Sequence, residues 1–161
     1  MKRYFLLDEL ASNIERTILW VDIFSVKNII IVSRALANNE LLKFLWRMWK
    51  PRLYNIDIIY PERVANISIK RSVKDDTLFI FENMDDIVEL IFKGLNPADL
   101  FIGRMPSFGM RRRLLENIYL SPVDYKRLIL IQLSGVNIYL DPVKRAPFRE
   151  IEGIIRKIIF E

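Results

Sequence analysis

Short, mostly apolar runs recur along this chain, unbroken at 4–7 and 29–32, and a helix-spaced stretch follows almost every one. The runs lie at 4–7, 29–32, 56–60, 77–82, 99–103 and 136–140. A run that is apolar at every residue, rather than every second one, reads as a strand covered on both faces. Between the runs the spacing predicts helices. Residues 14–24 place apolar side chains at 14, 18, 19 and 23. Residues 36–49 put Leu41, Leu45 and Met48 on one stripe, with Pro51 beyond the end. Pro61 and Glu62 open a helix, Asn83 caps one that stops near Gly94, and Ser121 with Pro122 starts one running to Gly135. Residues 148–160 form the last. Strands alternating with helices predict an α/β fold: a single three-layer domain over residues 1–161, with a mostly parallel central sheet of about six to seven strands and helices on both faces. With 161 residues, 52% of them hydrophobic, the chain is long and apolar enough to bury such a core.

In open sheets of this kind ligands bind beyond the carboxyl ends of the strands, near the point where the strand order reverses. The loops 8–13, 33–38, 60–62, 82–85, 103–110 and 141–147 therefore carry the functional interest. Their chemistry is restricted, because the chain has no histidine and no cysteine. That excludes a Ser–His–Asp triad, a thiolate nucleophile, a phosphohistidine and any zinc site built on those residues. No cofactor and no metal are expected. The lack of cysteine suits a reducing compartment. Lys2 and Arg3 precede a short apolar stretch broken at Asp8 rather than a signal-peptide core, so a cytoplasmic location is expected. The longest apolar region, 18–32, is interrupted by Asp22 and Lys27, so membrane insertion is not expected. The net charge of +5 suits anionic partners, and equally an ordinary solvated surface. Trp46 and Trp49 flank Arg47 and Met48; one is expected in the core and the other exposed. No basic–aromatic alternation repeats along a face, so nucleic-acid binding is not expected.

Three segments carry candidate chemistry. The first is the strand–helix joint with Asp8, Ser12, Asn13, Glu15 and Arg16. A helix start there offers free N–H groups to an anion, with Ser12 or Asn13 as N-cap, although capping alone explains both residues. No glycine lies in this loop, so neither a Walker loop nor a dinucleotide fingerprint is present. The second is "GRMPSFGMRRR", 103–113, where Arg104, Ser107 and Arg111–Arg113 offer contacts to a phosphate or an acidic partner. The bland alternative is a solvated helix start. The third is Arg34, just past a strand, on the same rim as the 8–13 loop if those strands are neighbours; Asn38 or Asn39 serves a helix end. The acidic pairs Asp75–Asp76 and Asp85–Asp86 read as loop and helix-start residues.

The order of these elements and several short strings resemble the IIB subunits of the mannose/fructose/sorbose family of the bacterial phosphotransferase system. That family opens with a strand and the motif Asp-x-Arg-Leu-Ile-His-Gly-Gln-Val, with a Trp a few residues on. Asp8 and Trp20 match the Asp and the Trp without a gap. The run "IIIVSRALANNELLKFLWRMWKP" is similar to the family's second strand and the segment after it, through Ala37, Asn38, Glu40, Met48 and Pro51. "FIGRMPSF" resembles its strand–Gly–Gly–Met loop, keeping Gly103 and Met105. "YLSPVDYKRLILIQLSGVNIYLDPV" resembles its closing helix and strand, including Gly135–Val136. The resemblance covers essentially the whole chain.

The departure lies at the site itself. The family's phosphohistidine falls on Asn13, its Arg on Leu10, its Gly on Ile14 and its Gln on Glu15. In the family that His takes a phosphoryl group from a IIA subunit and passes it to sugar entering through membrane subunits. Transfer needs a ring nitrogen that attacks phosphorus and leaves again. An amide nitrogen is delocalised and not nucleophilic, and no other histidine can substitute. The resemblance thus implies the architecture of a sugar phosphotransferase with no catalytic residue. The expected role is regulatory or partner-binding, on a rim of Asp8, Ser12, Asn13, Arg16, Arg34, Arg104 and Ser107. The implied partners are IIA or membrane IIC/IID-like proteins, and self-association stays open. Two alternatives also stay open: a sensory module taking an anion or small metabolite on the same rim, and an enzyme of unrelated chemistry using carboxylates, Lys or Tyr.

Overall fold

The architecture is that of a computed structural model, which describes residues 2–49, 54–69 and 75–161, with the side chains of residues 49 and 67–69 also outside the description. The chain runs β1 (Arg3–Asp8), α1 (Ile14–Phe24), β2 (Asn28–Val32), α2 (Arg34–Ala37), α3 (Glu40–Trp49) and β3 (Asn55–Ile59). A 3₁₀ turn (Pro61–Arg63) leads into α4 (Val64–Ile69), followed by β4 (Thr77–Phe81), α5 (Met84–Phe92) and β5 (Asp99–Arg104). The hairpin β6 (Arg112–Leu115) and β7 (Ile118–Leu120) precedes α6 (Pro122–Leu133), β8 (Asn137–Leu140), β9 (Ala146–Pro147) and α7 (Phe148–Phe160). Seven strands form the central sheet in the order β3-β2-β4-β1-β5-β8-β9, parallel except for the two-residue β9.

Alternation within each strand sorts two cores. Leu6, Ile29, Ile31, Leu78 and Ile80 face α1, α2 and α3, meeting Val21, Phe24, Leu36 and Trp46. Phe5, Leu7, Ile30, Val32, Phe79 and Phe81 face the other way, meeting Val64, Ile87, Leu128 and Ile155. The result is a three-layer α/β sandwich in which every central strand is apolar on both sides, as its unbroken runs require. Phe5 and Phe79 stack at 5.1 Å across the β1–β4 pair, a cross-strand aromatic contact worth about 0.5–1.5 kcal/mol beyond its burial.

Three expectations need correction. The stretch 36–49 is not one helix. Asn39 Oδ1 accepts the Leu42 N–H at 3.0 Å and starts α3 afresh, after Asn38 has ended α2. Nor is the Leu41–Leu45–Met48 stripe the buried one: α3 turns Leu42 and Trp46 into the core and leaves that stripe exposed. Of the two tryptophans, Trp46 is buried, and the side chain of Trp49 lies outside the described residues. Finally, the arginine run does not begin a helix: Arg112 opens the β6 strand of a hairpin turning at Glu116–Asn117. Strand β2 is also separated from β1 by β4. Because β1, β4 and β2 run parallel, their following loops still share one rim.

Candidate functional site

The joint after β1 is a tight turn built on Asp8. The Leu10 N–H donates to Asp8 Oδ1 at 3.0 Å, the Ala11 N–H to the Asp8 carbonyl at 3.1 Å, and the Asn13 N–H to the Leu10 carbonyl at 2.9 Å. Asn13 then takes extended backbone angles, and its Oδ1 accepts the Arg16 N–H at 3.1 Å, so it is the N-cap of α1. The N–H groups of Ile14 and Glu15 remain aimed out of the helix end, where the dipole is positive. Ser12, Asn13 and Arg16 are exposed there.

Beneath the turn lies a buried polar knot. A register shift between Leu7 and Asp8 sets Asp8 opposite Arg104 of the adjacent β5. Arg104 Nε donates to Asp8 Oδ1 at 2.9 Å and its Nη2 to Asp8 Oδ2. The same Nη2 reaches Thr17 Oγ1 at 3.0 Å. Trp20 Nε1 donates to Asp8 Oδ2 at 2.7 Å, and the Arg104 guanidinium lies 5.7 Å from the Trp20 ring centre. Asp8 is 0% and Arg104 5% exposed. Both therefore fix the turn and α1 to the sheet rather than face solvent. Arg104 Nη1 is buried with no hydrogen-bond partner among the described residues.

Gly103 makes this packing possible. A Cβ built there would come within 2.9 Å of Trp20 Cζ2 and 3.3 Å of the Leu7 carbonyl oxygen. The ring cannot retreat without releasing its bond to Asp8. Gly103→Ala should therefore destabilise the protein by about 1–3 kcal/mol, measured by urea unfolding. An unchanged midpoint would show that the indole has room to move.

A second network holds the following loop. Arg111 donates to Glu9 Oε1 at 2.8 Å, to Asp124 Oδ2 at 2.9 Å and to the Pro106 carbonyl at 3.1 Å. Asp124 also completes the capping box of α6, taking the Ser121 N–H at 2.9 Å. Burial alone would push the Asp124 carboxyl up, but the bonds from Arg111 and Ser121 outweigh it and hold the carboxyl below its ordinary value of 3.8. The Glu9 bonds raise the Arg111 guanidinium further above its ordinary value. Phe108 lies on Arg111 at 5.0 Å.

Over the rim, Glu9, Ser33, Arg34, Glu82, Phe108 and Arg111 line one open groove, drawn from the loops after β1, β2, β4 and β5. Arg34 is exposed and paired with Glu62 at 2.6 Å. The buried Ser33 hydroxyl donates to Glu82 and accepts the Leu36 N–H, capping α2. Arg16 lines a different hollow, about 450 Å³, on the far flank of α1 with Trp20, Gly103, Asn117, Asp141 and Lys144. The structure thus brings Arg34 and Phe108 to one groove, while Gly103 and Arg104 border the other hollow and Asn13 lies outside the lining of both. Ser107 stands exposed in that loop. Glu9, Glu82, Asp124 and Phe108 were not singled out from the sequence. The signal for Asp124 was available, since it is the third residue of a helix capped by Ser121. The other three join the site only through the parallel order of the sheet.

The same fold occurs in known proteins. The family "PTS system sorbose subfamily IIB component" matches residues 15–160, a span that starts just beyond Asn13. The sorbose-specific EIIB component of Klebsiella pneumoniae is 23% identical over 155 residues, covering 96% of this chain and 94% of that protein. The fructose-specific EIIB component of Bacillus subtilis is 23% identical over 140 residues, covering 86% of each. Among solved structures, the IIBSor domain of the Klebsiella pneumoniae sorbose permease superposes with a TM-score of 0.82 at 20% identity, over 100% of both chains. The N-acetylgalactosamine-specific IIB component 1 of Escherichia coli gives 0.73 at 16%, over 87% of this chain and 93% of that one. With the family match spanning nearly its whole length, the chain belongs to the sorbose subfamily of phosphotransferase-system IIB components.

Proposed function

We propose that this protein is a IIB subunit that carries no phosphoryl group on its first loop and acts as a regulatory or partner-binding component of sugar uptake. The reading rests on Asn13: the resemblance sets the family's phosphohistidine on this residue, and its side chain is engaged as the N-cap of α1. A IIB protein held permanently in the unphosphorylated state binds its IIA or membrane partners without turning over. Ser12, Asn13, Arg16, Arg34 and Ser107 supply the exposed part of such a rim. Asp8 and Arg104 support it from below.

Incubation with a phosphorylated IIA protein of the sorbose class, followed by intact-mass spectrometry, tests this. No adduct is the expected result. A stoichiometric acid-labile or acid-stable phosphoryl group on any loop residue would reveal a substitute nucleophile and end the proposal. A second reading, a sensory module for an anion or small metabolite, is favoured by the hollow beside α1, whose lining includes Arg16, Lys144 and Asn117 together with Glu116 and Asp141. A metabolite retained through purification in that same mass spectrum supports it over the first.

A further inference from the structure

Helix α3 buries one apolar stripe and exposes another. Leu42 packs against the core and Trp46 is buried. Leu41, Phe44, Leu45 and Met48 are 66%, 55%, 42% and 69% exposed. Their spacing of i, i+3, i+4 and i+7 forms a continuous seam, the pattern of a helix that packs on a second helix. We propose that this seam pairs with the same seam of a second copy of the chain, antiparallel about a two-fold axis. The proposal is independent of the state of Asn13.

Two features favour a second copy over another occupant. The seam is symmetric: reversing it sets Leu41 against Met48 and Phe44 against Leu45 of the partner, with no polar residue between them. A two-fold interface requires that self-complementarity. The charges complete it. Glu40 and Arg47 are seven residues apart, two turns, and so lie on the same flank of the seam. Antiparallel packing brings like flanks together, so Glu40 of each copy meets Arg47 of the other, twice. Parallel packing would put this flank against the opposite flank of the partner, so Glu40 and Arg47 would find no such partner. The Glu40 carboxylate now has only Lys43 as an ion-pair partner among the described residues, on its own helix. The neighbouring sheet edge does not compete. At β3 the Ile58 N–H is taken by the Asp57 side chain at 2.9 Å, and the exposed Asp57 would meet its own copy in an added strand. A lipid surface would instead select cations on both flanks, where Glu40 places an anion.

The absence of cysteine makes the geometry directly testable. Sedimentation of the full chain should show a reversible dimer at micromolar concentration, the range for a small interface. Phe44→Glu should weaken it at least tenfold. Glu40→Arg or Arg47→Glu should each weaken it severalfold, and the two together should restore it. Leu45→Cys should cross-link to itself on oxidation. Leu41→Cys should not, since two such residues lie about 10 Å apart along the axis, beyond disulfide reach. Leu41→Cys mixed with Met48→Cys should cross-link. A monomer at all concentrations overturns the proposal, as does a monomer that binds vesicles of anionic phospholipid. Self-cross-linking at position 41 equal to that at 45 overturns the antiparallel arrangement.

Discussion

Asn13→His alone will remain a poor phosphoryl acceptor, and adding Leu10→Arg, Ile14→Gly and Glu15→Gln will raise its uptake about a hundredfold at one donor concentration. The imidazole supplies the nucleophile but not its surroundings. Glu15 stands in the first turn of α1, two residues from the acceptor. A carboxylate about 4 Å from an incoming phosphoryl group opposes it by about 1–4 kcal/mol, the lower figure applying where water screens the pair. The Leu10 side chain donates nothing, whereas a guanidinium there would add a charged hydrogen bond of about 1.5–3 kcal/mol. The Leu10 N–H cannot compensate, because it is held by Asp8. At 1.36 kcal/mol per factor of ten, these terms together reach a hundredfold. Arg104 cannot replace the missing arginine while it is buried against Asp8. Equal uptake by the single and fourfold variants would show that the loop is intact and only the nucleophile has changed.

Asp8→Ala should lower stability by about 3–5 kcal/mol, the cost of leaving a buried guanidinium unpaired. For a chain of this size that is a fall of about 10 °C in the unfolding midpoint. The loss reaches further than the ion pair. The Asp8 carboxylate also receives the Trp20 indole and the Leu10 N–H, so one side chain ties strand, turn and helix together. The double variant Asp8→Leu with Arg104→Met should be more stable than Asp8→Ala, because it removes both charges and leaves neither stranded. Calorimetry of the three proteins decides between this account and simple loss of packing. A double variant that melts below Asp8→Ala would mean that the charges themselves hold the turn.

The central strands were legible because burial on both faces leaves an unmistakable mark: Ile29–Val32 and Leu78–Phe81 admit no polar residue. Caps were legible for the same local reason, since Asn13, Asn83 and Ser121 each bond an amide within three residues. The β6–β7 hairpin was not read, because its signal was masked by three arginines that go separate ways. Arg111 turns in to Glu9 and Asp124, Arg112 reaches the Ile158 carbonyl, and Arg113 points to solvent. Periodicity grouped Leu41, Leu45 and Met48 on one face of α3 but could not show that Leu42 and Trp46, not this face, meet the core. The knot of Asp8, Arg104 and Trp20 spans 96 positions. Nothing local announces a pairing at that range; only the order of strands does.

The position of β1 in the sheet also sets a schedule for synthesis. Its partners are β4 and β5, and Arg3 aligns with Thr77, roughly seventy positions downstream. At ribosomal rates the first strand waits roughly 4–15 s before either neighbour exists. Through that interval "YFLLD" is an unpaired apolar segment on a nascent chain, while β2 and β3 can already align with each other. The middle of the sheet therefore closes only after the β2–β3 pair can form, and β1 is the segment most in need of a chaperone's cover until β4 emerges.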